Sequence, residues 1–363
     1  MPRLKVLHVL RSPRTEGTVK LVLDWLLEAE LQQEVFVLHP DPAEMTASLR
    51  DRASWYGEGS GLPASWGKYP WMVSQVGKVC FERRPDLVIC WANGFAPWVL
   101  GGAWLAGVPK LITHAGNPPT WDLWGKTQTL VSTFVTWMTG GRMVCCSYYV
   151  AGQFTRSPAV FGSVLRVVYN CASVALIREA AESARLQRVD LRPRLIMVAT
   201  LESHKDHETL LRAMPVVIGA VPGVRLWLAG EGSLRGRLQE LSNSLGLASA
   251  VEFLGSRRDV PALLGQSDVF VFSTTKEEGL GTVLIEALAA GLPVVASDVP
   301  ACREALDGGK WGALVPAADS VALAAALIAS IHIRSSLNRN ESYSYLQRFS
   351  PGGMIAGYVA AVS

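Results

Sequence analysis

Two glutamates, Glu278 and Glu286, lie on either side of a glycine-containing turn that leads into a helix-forming stretch. The backbone N–H groups at the start of such a helix have no intrahelical acceptor. Together with the helix dipole they attract a phosphate, and the glycines permit its close approach. The residues of this predicted site are Leu280, Gly281, Thr282 and Val283.

The two carboxylates would repel a bare phosphate unless they accept hydrogen bonds from hydroxyl groups close to it. A sugar supplies such hydroxyls. Glu286 is suited to holding a ribose diol and Glu278 to holding the hydroxyls of a second sugar, with a diphosphate between them on the backbone amides. The pattern therefore predicts a binding site for a nucleotide-diphospho-sugar.

The stretch from Glu278 to Glu286, with GLGTVLI between them, resembles the Glu-x7-Glu motif of retaining glycosyltransferases with the GT-B fold, the large family-four group. The following AGLPVVASDVPACREAL, which contains Glu304, resembles the continuation of that motif. The likeness covers about residues 4–320 and is weakest between residues 40 and 80. It implies two Rossmann-like domains facing across a cleft, and a transfer that retains the configuration at the anomeric carbon.

Residues 198–213, VATLESHKDHETLLRA, resemble the family segment that opens the second domain and presents a basic pair to the diphosphate. The resemblance assigns Lys205 to the departing diphosphate. Thr200 stands where the family usually carries the arginine of that pair. One of the two cations is therefore absent from its usual position.

Three further segments extend the resemblance to the nucleotide base and to the first domain. Gly255 and Arg258 lie in a stretch similar to the one that cradles the base. His114, in THAGNPP, stands where such enzymes often place a histidine beside the donor sugar. In the first loop only Gly17 matches the usual glycine pair, and Glu16 occupies the other place.

The resemblance thus implies Glu278, His114 and Lys205 as catalytic residues. Lys205 and the helix start would stabilise the leaving nucleoside diphosphate, and His114 would steady developing charge. Each residue also has a purely structural explanation. Glu278 and Glu286 would then be ordinary loop and helix carboxylates, His114 a hydrogen-bonded histidine at a strand end, and Lys205 a solvated lysine.

Short apolar strands alternate with amphipathic helices along the chain, which predicts an α/β protein with parallel sheets covered on both sides. We expect an N-terminal Rossmann-like acceptor domain at residues 1–171 and a C-terminal Rossmann-like donor domain at residues 194–342. Residues 172–193 are charged and helix-prone, and we interpret them as a linker or a peripheral helix. Residues 343–363 are expected to form a helix that crosses back to the first domain. The Gly-, Pro- and Trp-rich residues 55–71 are expected to form an irregular loop.

Composition excludes several classes of protein. The chain has 363 residues, 18% of them charged, and a formal charge of +3, so nucleic acid is not an expected partner. No Asp-x-Asp motif and no P-loop occur, and the six cysteines form no C-x-x-C pair. We therefore expect no metal site and no cofactor other than the nucleotide-sugar co-substrate, in a reduced cytoplasmic protein without a transmembrane helix or signal peptide.

Ten of the twelve tryptophans lie in the first 137 residues. They are compatible with a bulky core, an aromatic acceptor groove or a surface that contacts lipid headgroups. Residues 120–139 are predicted to form an amphipathic helix, which allows peripheral contact with the inner face of a membrane. The acceptor stays open between a saccharide, a lipid-linked compound and a small molecule.

We therefore predict a glycosyltransferase that moves a sugar from a nucleotide-diphospho-sugar to an acceptor hydroxyl, in the biosynthesis of a glycan, polysaccharide or glycolipid. Two alternatives remain. A GT-B-fold sugar-nucleotide epimerase would need an additional acid/base pair in the first domain, which the sequence does not supply. A catalytically silent sugar-nucleotide-binding protein would explain Thr200 and the single Gly17.

Overall fold

A computed structural model describes residues 3–14, 17–28, 30–40, 45–61, 63, 67–156, 162–332 and 339–363. The chain divides into two compact units. The first consists of the described residues up to Cys171 together with Pro351–Ser363, and the second is Ala172–Ser350. Each unit is an α/β domain with a parallel sheet, as the alternation of strands and helices predicts.

The first unit has a seven-stranded parallel sheet in the order β3-β2-β1-β4-β5-β6-β7 across its described residues. Its strands are β1 (Lys5–Leu10), β2 (Gln32–Val37), β3 (Trp55–Glu58), β4 (Leu87–Cys90), β5 (Lys110–Ala115), β6 (Arg142–Cys145) and β7 (Leu165–Val167). Within its described residues, the second unit has a six-stranded parallel sheet in the order β10-β9-β8-β11-β12-β13. Its strands are β8 (Arg194–Val198), β9 (Arg225–Ala229), β10 (Val251–Gly255), β11 (Val269–Phe272), β12 (Val294–Ser297) and β13 (Ala313–Val315).

Helices connect these strands. In chain order they are α1 (Gly17–Trp25), α2 (Thr46–Arg52), α3 (Lys68–Arg83), α4 (Ala96–Leu105), α5 (Leu123–Met138), α6 (Tyr148–Thr155), α7 (Val174–Leu186), α8 (His207–Ala220), α9 (Arg235–Ser244), α10 (Val260–Gly265), α11 (Thr282–Ala289), α12 (Pro300–Ala305), α13 (Ser320–His332), α14 (Arg339–Leu346) and α15 (Pro351–Ala361). Among the described residues, no helix combines the length and hydropathy needed to cross a bilayer.

The central strands of the first sheet are buried on both faces, which is why β1 and β4 are almost continuously apolar. On β1, Val6 and Leu10 belong to one core cluster, whereas Leu7 and Val9 belong to another. This alternation follows from the two-residue period of a strand. The first cluster also contains Tyr358 of α15, which gives the end of the chain a place in the first unit's core.

The segment at residues 172–193 contains α7, which packs on α10 and α11 of the second unit. At the contact with α10, a Cβ on Gly265 would lie 2.1 Å from the Ala181 carbonyl oxygen, so the two backbones are very close. The sequence left this segment open between a linker and a peripheral helix, and the structure has α7 as a helix packed on the second unit.

The single helix expected at residues 343–363 is divided in two. One helix ends at Leu346, and α15 begins at Pro351 after a short 3-10 turn. Proline lacks an N–H donor and has a fixed φ, so it favours the first position of a new helix.

The prediction of an irregular loop at residues 55–71 was wrong at both ends of the segment. Trp55–Glu58 forms β3, which pairs in parallel with β2, and α3 begins at Lys68. Two aromatic residues with high strand propensity, Trp55 and Tyr56, precede Gly57, and pairing with β2 outweighs the local glycine signal.

Candidate functional site

The turn before α11 has the geometry that its glycines predict. Gly281 precedes the helix with φ 72° and ψ 57°, a left-handed conformation that glycine adopts without strain. At the start of α11, the Leu284 N–H donates a backbone hydrogen bond to the Gly281 carbonyl, at 2.8 Å. The N–H groups before it lie at a helix N-terminus, where the dipole favours an anion.

Lys205 and Glu278 form an ion pair beside this helix start. The Lys205 side chain is 14% exposed and that of Glu278 is 8% exposed, so water screens the pair poorly. The second oxygen of Glu278 accepts a hydrogen bond from the Gly279 N–H, at 3.1 Å. The Lys205 ammonium also lies 5.0 Å from the centre of the Phe272 ring. The two predicted catalytic residues of this unit are therefore neighbours.

Two hydrogen bonds to the His204 carbonyl hold the Lys205 loop against the loop that carries Glu278. The His204 carbonyl accepts a hydrogen bond from the Thr274 hydroxyl, at 2.9 Å, and another from the Thr275 N–H, at 3.1 Å. The Thr274 N–H in turn donates to the Ser297 hydroxyl, at 3.0 Å. These contacts fix the position of Lys205 relative to the turn.

Glu286 lies in the middle of α11 and is 6% exposed. It therefore does not occupy the exposed helix surface that its structural explanation would require. A carboxylate is strongly hydrated, so burying one has a high free-energy cost unless polar groups bind it.

Glycines bring the loops after β8, β9 and β10 close together at the carboxyl edge of the second sheet. A Cβ on Gly230 would lie 1.9 Å from the Ala199 carbonyl oxygen, and one on Gly232 would lie 2.4 Å from that of Leu201. Gly255 has φ 72°, and its Cβ would lie 3.0 Å from a Glu231 carboxylate oxygen. In open parallel sheets, ligands bind beyond this edge.

The remaining predicted residues have less distinctive surroundings. Thr200 is half-buried, and its carbonyl accepts a hydrogen bond from the Glu202 N–H. Arg258 is exposed. Gly17 is the first residue of α1, and among the described residues, apart from its chain neighbours and its own helix, no atom lies within 4 Å of where its Cβ would be. Glu16 lies outside the described residues.

His114 is the second-to-last residue of β5 and lines a cavity of about 270 Å³ in the first unit. The other residues around it include Thr18, Trp91, Asn93, Asn117 and Gln128. Hydroxyl, amide and indole groups together suit a polyol ligand. Burial lowers the pKa of His114 to about 4, so the imidazole is neutral at pH 7.

A buried aromatic cluster behind this cavity escaped the sequence analysis. The His114 Nδ1 lies 2.8 Å from the Tyr358 hydroxyl of α15. The Trp91 indole N–H donates to the His8 Nδ1, at 3.0 Å, and the Trp91 ring lies 5.1 Å from that of His114. Since 244 residues separate His114 from Tyr358, no local spacing could indicate this contact.

Residues 192–332 match the protein family described as Glycosyl transferases group 1. A phosphatidyl-myo-inositol mannosyltransferase of Mycobacterium leprae is 42% identical over 130 residues, which are 35% of this chain and 34% of that protein. A GDP-mannose-dependent alpha-(1-6)-phosphatidylinositol monomannoside mannosyltransferase of Mycobacterium tuberculosis is 32% identical over 248 residues, 63% of each chain. The chain thus spans between a third and two thirds of the length of these relatives.

The fold is similar to that of a solved structure, Anabaena Alr3699/HepE in complex with UDP and glucose. The TM-score is 0.84, and the alignment covers 99% of this chain and 100% of that one, at 19% identity. The fold predicted from the sequence, with two parallel-sheet α/β domains of the GT-B class, is therefore confirmed.

Proposed function

We propose that the protein transfers a sugar from a nucleotide-diphospho-sugar to an acceptor hydroxyl, and the match of residues 192–332 to the family described as Glycosyl transferases group 1 supports this. One observation carries the proposal. A buried Lys205–Glu278 pair lies beside the start of α11, and Glu286 is buried one turn into the same helix. A cation, amide donors and two carboxylates together match a diphosphate flanked by sugar hydroxyls.

The donor is proposed to bind at the carboxyl edge of the second sheet. The amides of Gly281, Thr282 and Val283 would hold the diphosphate, and Glu286 the ribose diol. Glu278 would accept hydrogen bonds from the transferred sugar, while Gly255 and Arg258 would lie near the base. The crystallised fold relative contains UDP and glucose, which supports a nucleotide-sugar as the donor class.

Chemistry at this site requires stabilisation of the departing nucleoside diphosphate. The Lys205 ammonium and the α11 amides would supply it, because both favour negative charge. We propose that the sugar keeps its anomeric configuration, with the leaving phosphate helping to take the proton of the acceptor. His114 would donate or accept a hydrogen bond at a substrate oxygen in the first unit's cavity. Since these groups already stabilise the leaving charge, no resident cofactor is proposed.

The acceptor is proposed to be a lipid-linked compound, and an unusual helix supports this. On α5, the buried residues are small and largely polar: Gly125, Thr129, Ser132, Thr133 and Thr136. Its large apolar residues are exposed: Leu123, Trp124, Leu130, Val131, Phe134, Trp137 and Met138. The usual arrangement of an amphipathic surface helix is the reverse.

Hydroxyl groups of the small polar face have hydrogen-bond acceptors inside the unit, and the Ser132 hydroxyl donates to the Asn93 carbonyl, at 3.5 Å. The Thr133 hydroxyl donates to the Thr129 carbonyl, at 2.9 Å, and the Thr136 hydroxyl to the Ser132 carbonyl, at 2.7 Å. The exposed face therefore needs an apolar partner of its own. It has Trp124 near one end and Trp137 near the other, and the single charged side chain of the helix is the exposed Lys126. Interfacial tryptophans with a cation suit the surface of an anionic phospholipid bilayer.

This membrane proposal has a direct test. Vesicles of phosphatidylcholine with anionic phosphatidylglycerol should carry the full-length protein upwards in a density gradient, whereas pure phosphatidylcholine vesicles should carry less. Phe134→Ser should abolish flotation. Leu186→Ser, which removes an exposed leucine from α7 of the second unit, should not change it. Equal flotation of wild type and Phe134→Ser would contradict α5 as the contact.

We also propose that the protein acts in the cytoplasm, at the inner face of the membrane. All six cysteines are free and buried, which suits a reducing compartment. In an oxidising compartment these thiols could form non-native disulfides during folding. In a reducing compartment they stay reduced and pack as small apolar residues.

Transfer itself is tested with a panel of UDP- and GDP-sugars, by measuring release of the nucleoside diphosphate. One donor should be turned over, and Glu286→Gln should reduce donor affinity about tenfold or more, because the hydrogen bonds to a charged acceptor are lost. The matched control is Glu240→Gln on the exposed surface of α9. Binding of a donor without turnover would favour a silent sugar-nucleotide-binding protein, and turnover to a second nucleotide-sugar would favour an epimerase.

A further inference from the structure

Tyr358 is far from the donor-binding motif in sequence, yet its hydroxyl reaches a residue of the first unit's cavity. It lies on α15, which packs against α1 and β6, and it is fully buried. The Trp25 and Trp91 rings lie 5.1 Å and 5.8 Å from its own ring. The apolar surroundings hold the phenol ring in one orientation, with its hydroxyl 2.8 Å from the His114 Nδ1.

The direction of this hydrogen bond follows from the partners present. Among the described residues, the Tyr358 hydroxyl has no other hydrogen-bonding partner. If the His114 Nδ1 carried the proton, the phenol hydrogen would be left buried without an acceptor, which costs about as much as a lost hydrogen bond. If the phenol donates to Nδ1, both groups are satisfied. Burial raises the pKa of Tyr358 well above 10, so the phenol keeps its proton.

A neutral imidazole carries one proton, so an accepting Nδ1 leaves the proton on Nε2. That nitrogen is next to Gly116, where a Cβ would lie only 3.0 Å from it. Glycine at this position keeps Nε2 approachable on the side where both residues line the cavity. A hydrogen-bond donor there can reach a hydroxyl or carbonyl oxygen of a bound ligand.

We propose that Tyr358 is a positioning residue that fixes His114 as the Nε2–H tautomer, so that His114 donates a hydrogen bond to a substrate oxygen in the first unit's cavity. The functional half of this inference rests on the proposed glycosyl transfer. The tautomer half rests on the contact between His114 and Tyr358 alone. Tyr358, in the last turn of α15, thereby determines which ring nitrogen of His114, near the end of β5, donates a hydrogen bond.

The tautomer is measured by NMR on full-length protein with ¹⁵N-labelled histidine, at pH 7.5. The His114 signals are identified by their loss in His114→Gln. We expect a protonated Nε2 in the wild type and a mixture of tautomers in Tyr358→Phe. His8 is an internal control, because its Nδ1 accepts from the Trp91 indole and its pattern should not change. A protonated Nδ1 in the wild type, or an identical His114 pattern in Tyr358→Phe, would overturn the inference.

Kinetics then tests the functional half. Tyr358→Phe should lower kcat about three- to tenfold, the value of one neutral hydrogen bond, while the donor KM stays within about twofold. In a His114→Ala background, the same substitution should have no further effect on kcat. Tyr345→Phe is the matched control, because it removes another buried hydroxyl, one that donates to the Ala305 carbonyl in the second unit.

The outcomes separate the two proposals. A wild type that turns over no donor defeats the proposed function, while the NMR result still decides the tautomer. An active wild type in which Tyr358→Phe lowers kcat equally with and without His114 would refute action through His114. A fall in kcat for Tyr345→Phe as large as that for Tyr358→Phe would show that the effect is a general loss of stability.

Discussion

Replacing Lys205 with methionine separates the structural and catalytic roles of the Lys205–Glu278 pair. Methionine keeps the length of the side chain and its contact with the Phe272 ring but removes the charge. Glu278 would then be a carboxylate with 8% exposure and one remaining backbone donor, the Gly279 N–H. Removing one partner of a buried ion pair lowers the free energy of unfolding by about 3–5 kcal/mol. Because the Gly279 N–H still binds Glu278, we expect a loss near the lower end, about 3 kcal/mol, for Lys205→Met.

The catalytic effect has a different origin. Removing one preorganised group that stabilises leaving charge reduces kcat by about two to three orders of magnitude. The double variant Lys205→Met/Glu278→Gln should recover most of the lost stability, since no unpaired charge remains, but it should stay at least as inactive. Urea unfolding followed by circular dichroism gives the free energy of unfolding, and donor turnover gives kcat.

Lys310→Met provides the control for Lys205→Met. The Lys310 ammonium also lies over an aromatic ring, 4.9 Å from that of Trp311, and the residue is exposed. Removing the Lys310 charge should lower the free energy of unfolding by about 1 kcal/mol or less and leave kcat unchanged. The reasoning is refuted if Lys205→Met retains kcat within threefold, or if the double variant is no more stable than the single one.

Three other expectations follow from the same structure. Gly281→Ala should lower the free energy of unfolding by about 1–2 kcal/mol and weaken donor binding about tenfold, because φ is 72° and the new Cβ would lie 3.1 Å from both Leu284 and Phe272. Gly291→Ala is the control, because its φ of 75° gives a similar backbone strain. It should leave donor affinity unchanged in a calorimetric titration. Burial lowers the pKa of His8, His114 and His207 to about 4. The free energy of unfolding should therefore be at its full value above pH 6.5 and should fall as the pH drops from 6.5 towards 4, by at most about 1.4 kcal/mol per pH unit for each histidine. His207→Gln should make that dependence shallower, and an unchanged slope would show that the fold does not lower the pKa of His207. Donor turnover should survive dialysis against EDTA, and a loss restored by Mg²⁺ or Mn²⁺ would contradict a metal-independent transfer.

The donor motif could be predicted because its chemistry is local. A strand, a glycine turn and a helix follow one another within about twenty residues, and helix-start geometry is a property of the backbone. Lys205 and Glu278 are 73 residues apart, so only the resemblance to a family indicated that they belong to the same site. The direct contact between the two side chains is a feature that the structure adds.

The first unit was less predictable, for physical reasons. Apolar residues on α5 indicate an amphipathic helix, but nothing in the sequence says that the small polar residues face inwards. That orientation depends on close packing against neighbouring elements. The contact between His114 and Tyr358 likewise depends on the return of the chain end to the first unit's core, and β3 depends on an available neighbour at the sheet edge.

The proposed transfer requires that a donor diphosphate binds the backbone amides at the start of α11. A crystal structure of the protein with a nucleoside diphosphate-sugar would show this contact. We expect phosphate oxygens about 3 Å from the amide nitrogens of Gly281, Thr282 or Val283, with a Glu286 carboxylate oxygen at the same distance from a ribose hydroxyl. A nucleotide bound elsewhere, with these amides in contact with protein or water alone, would contradict it.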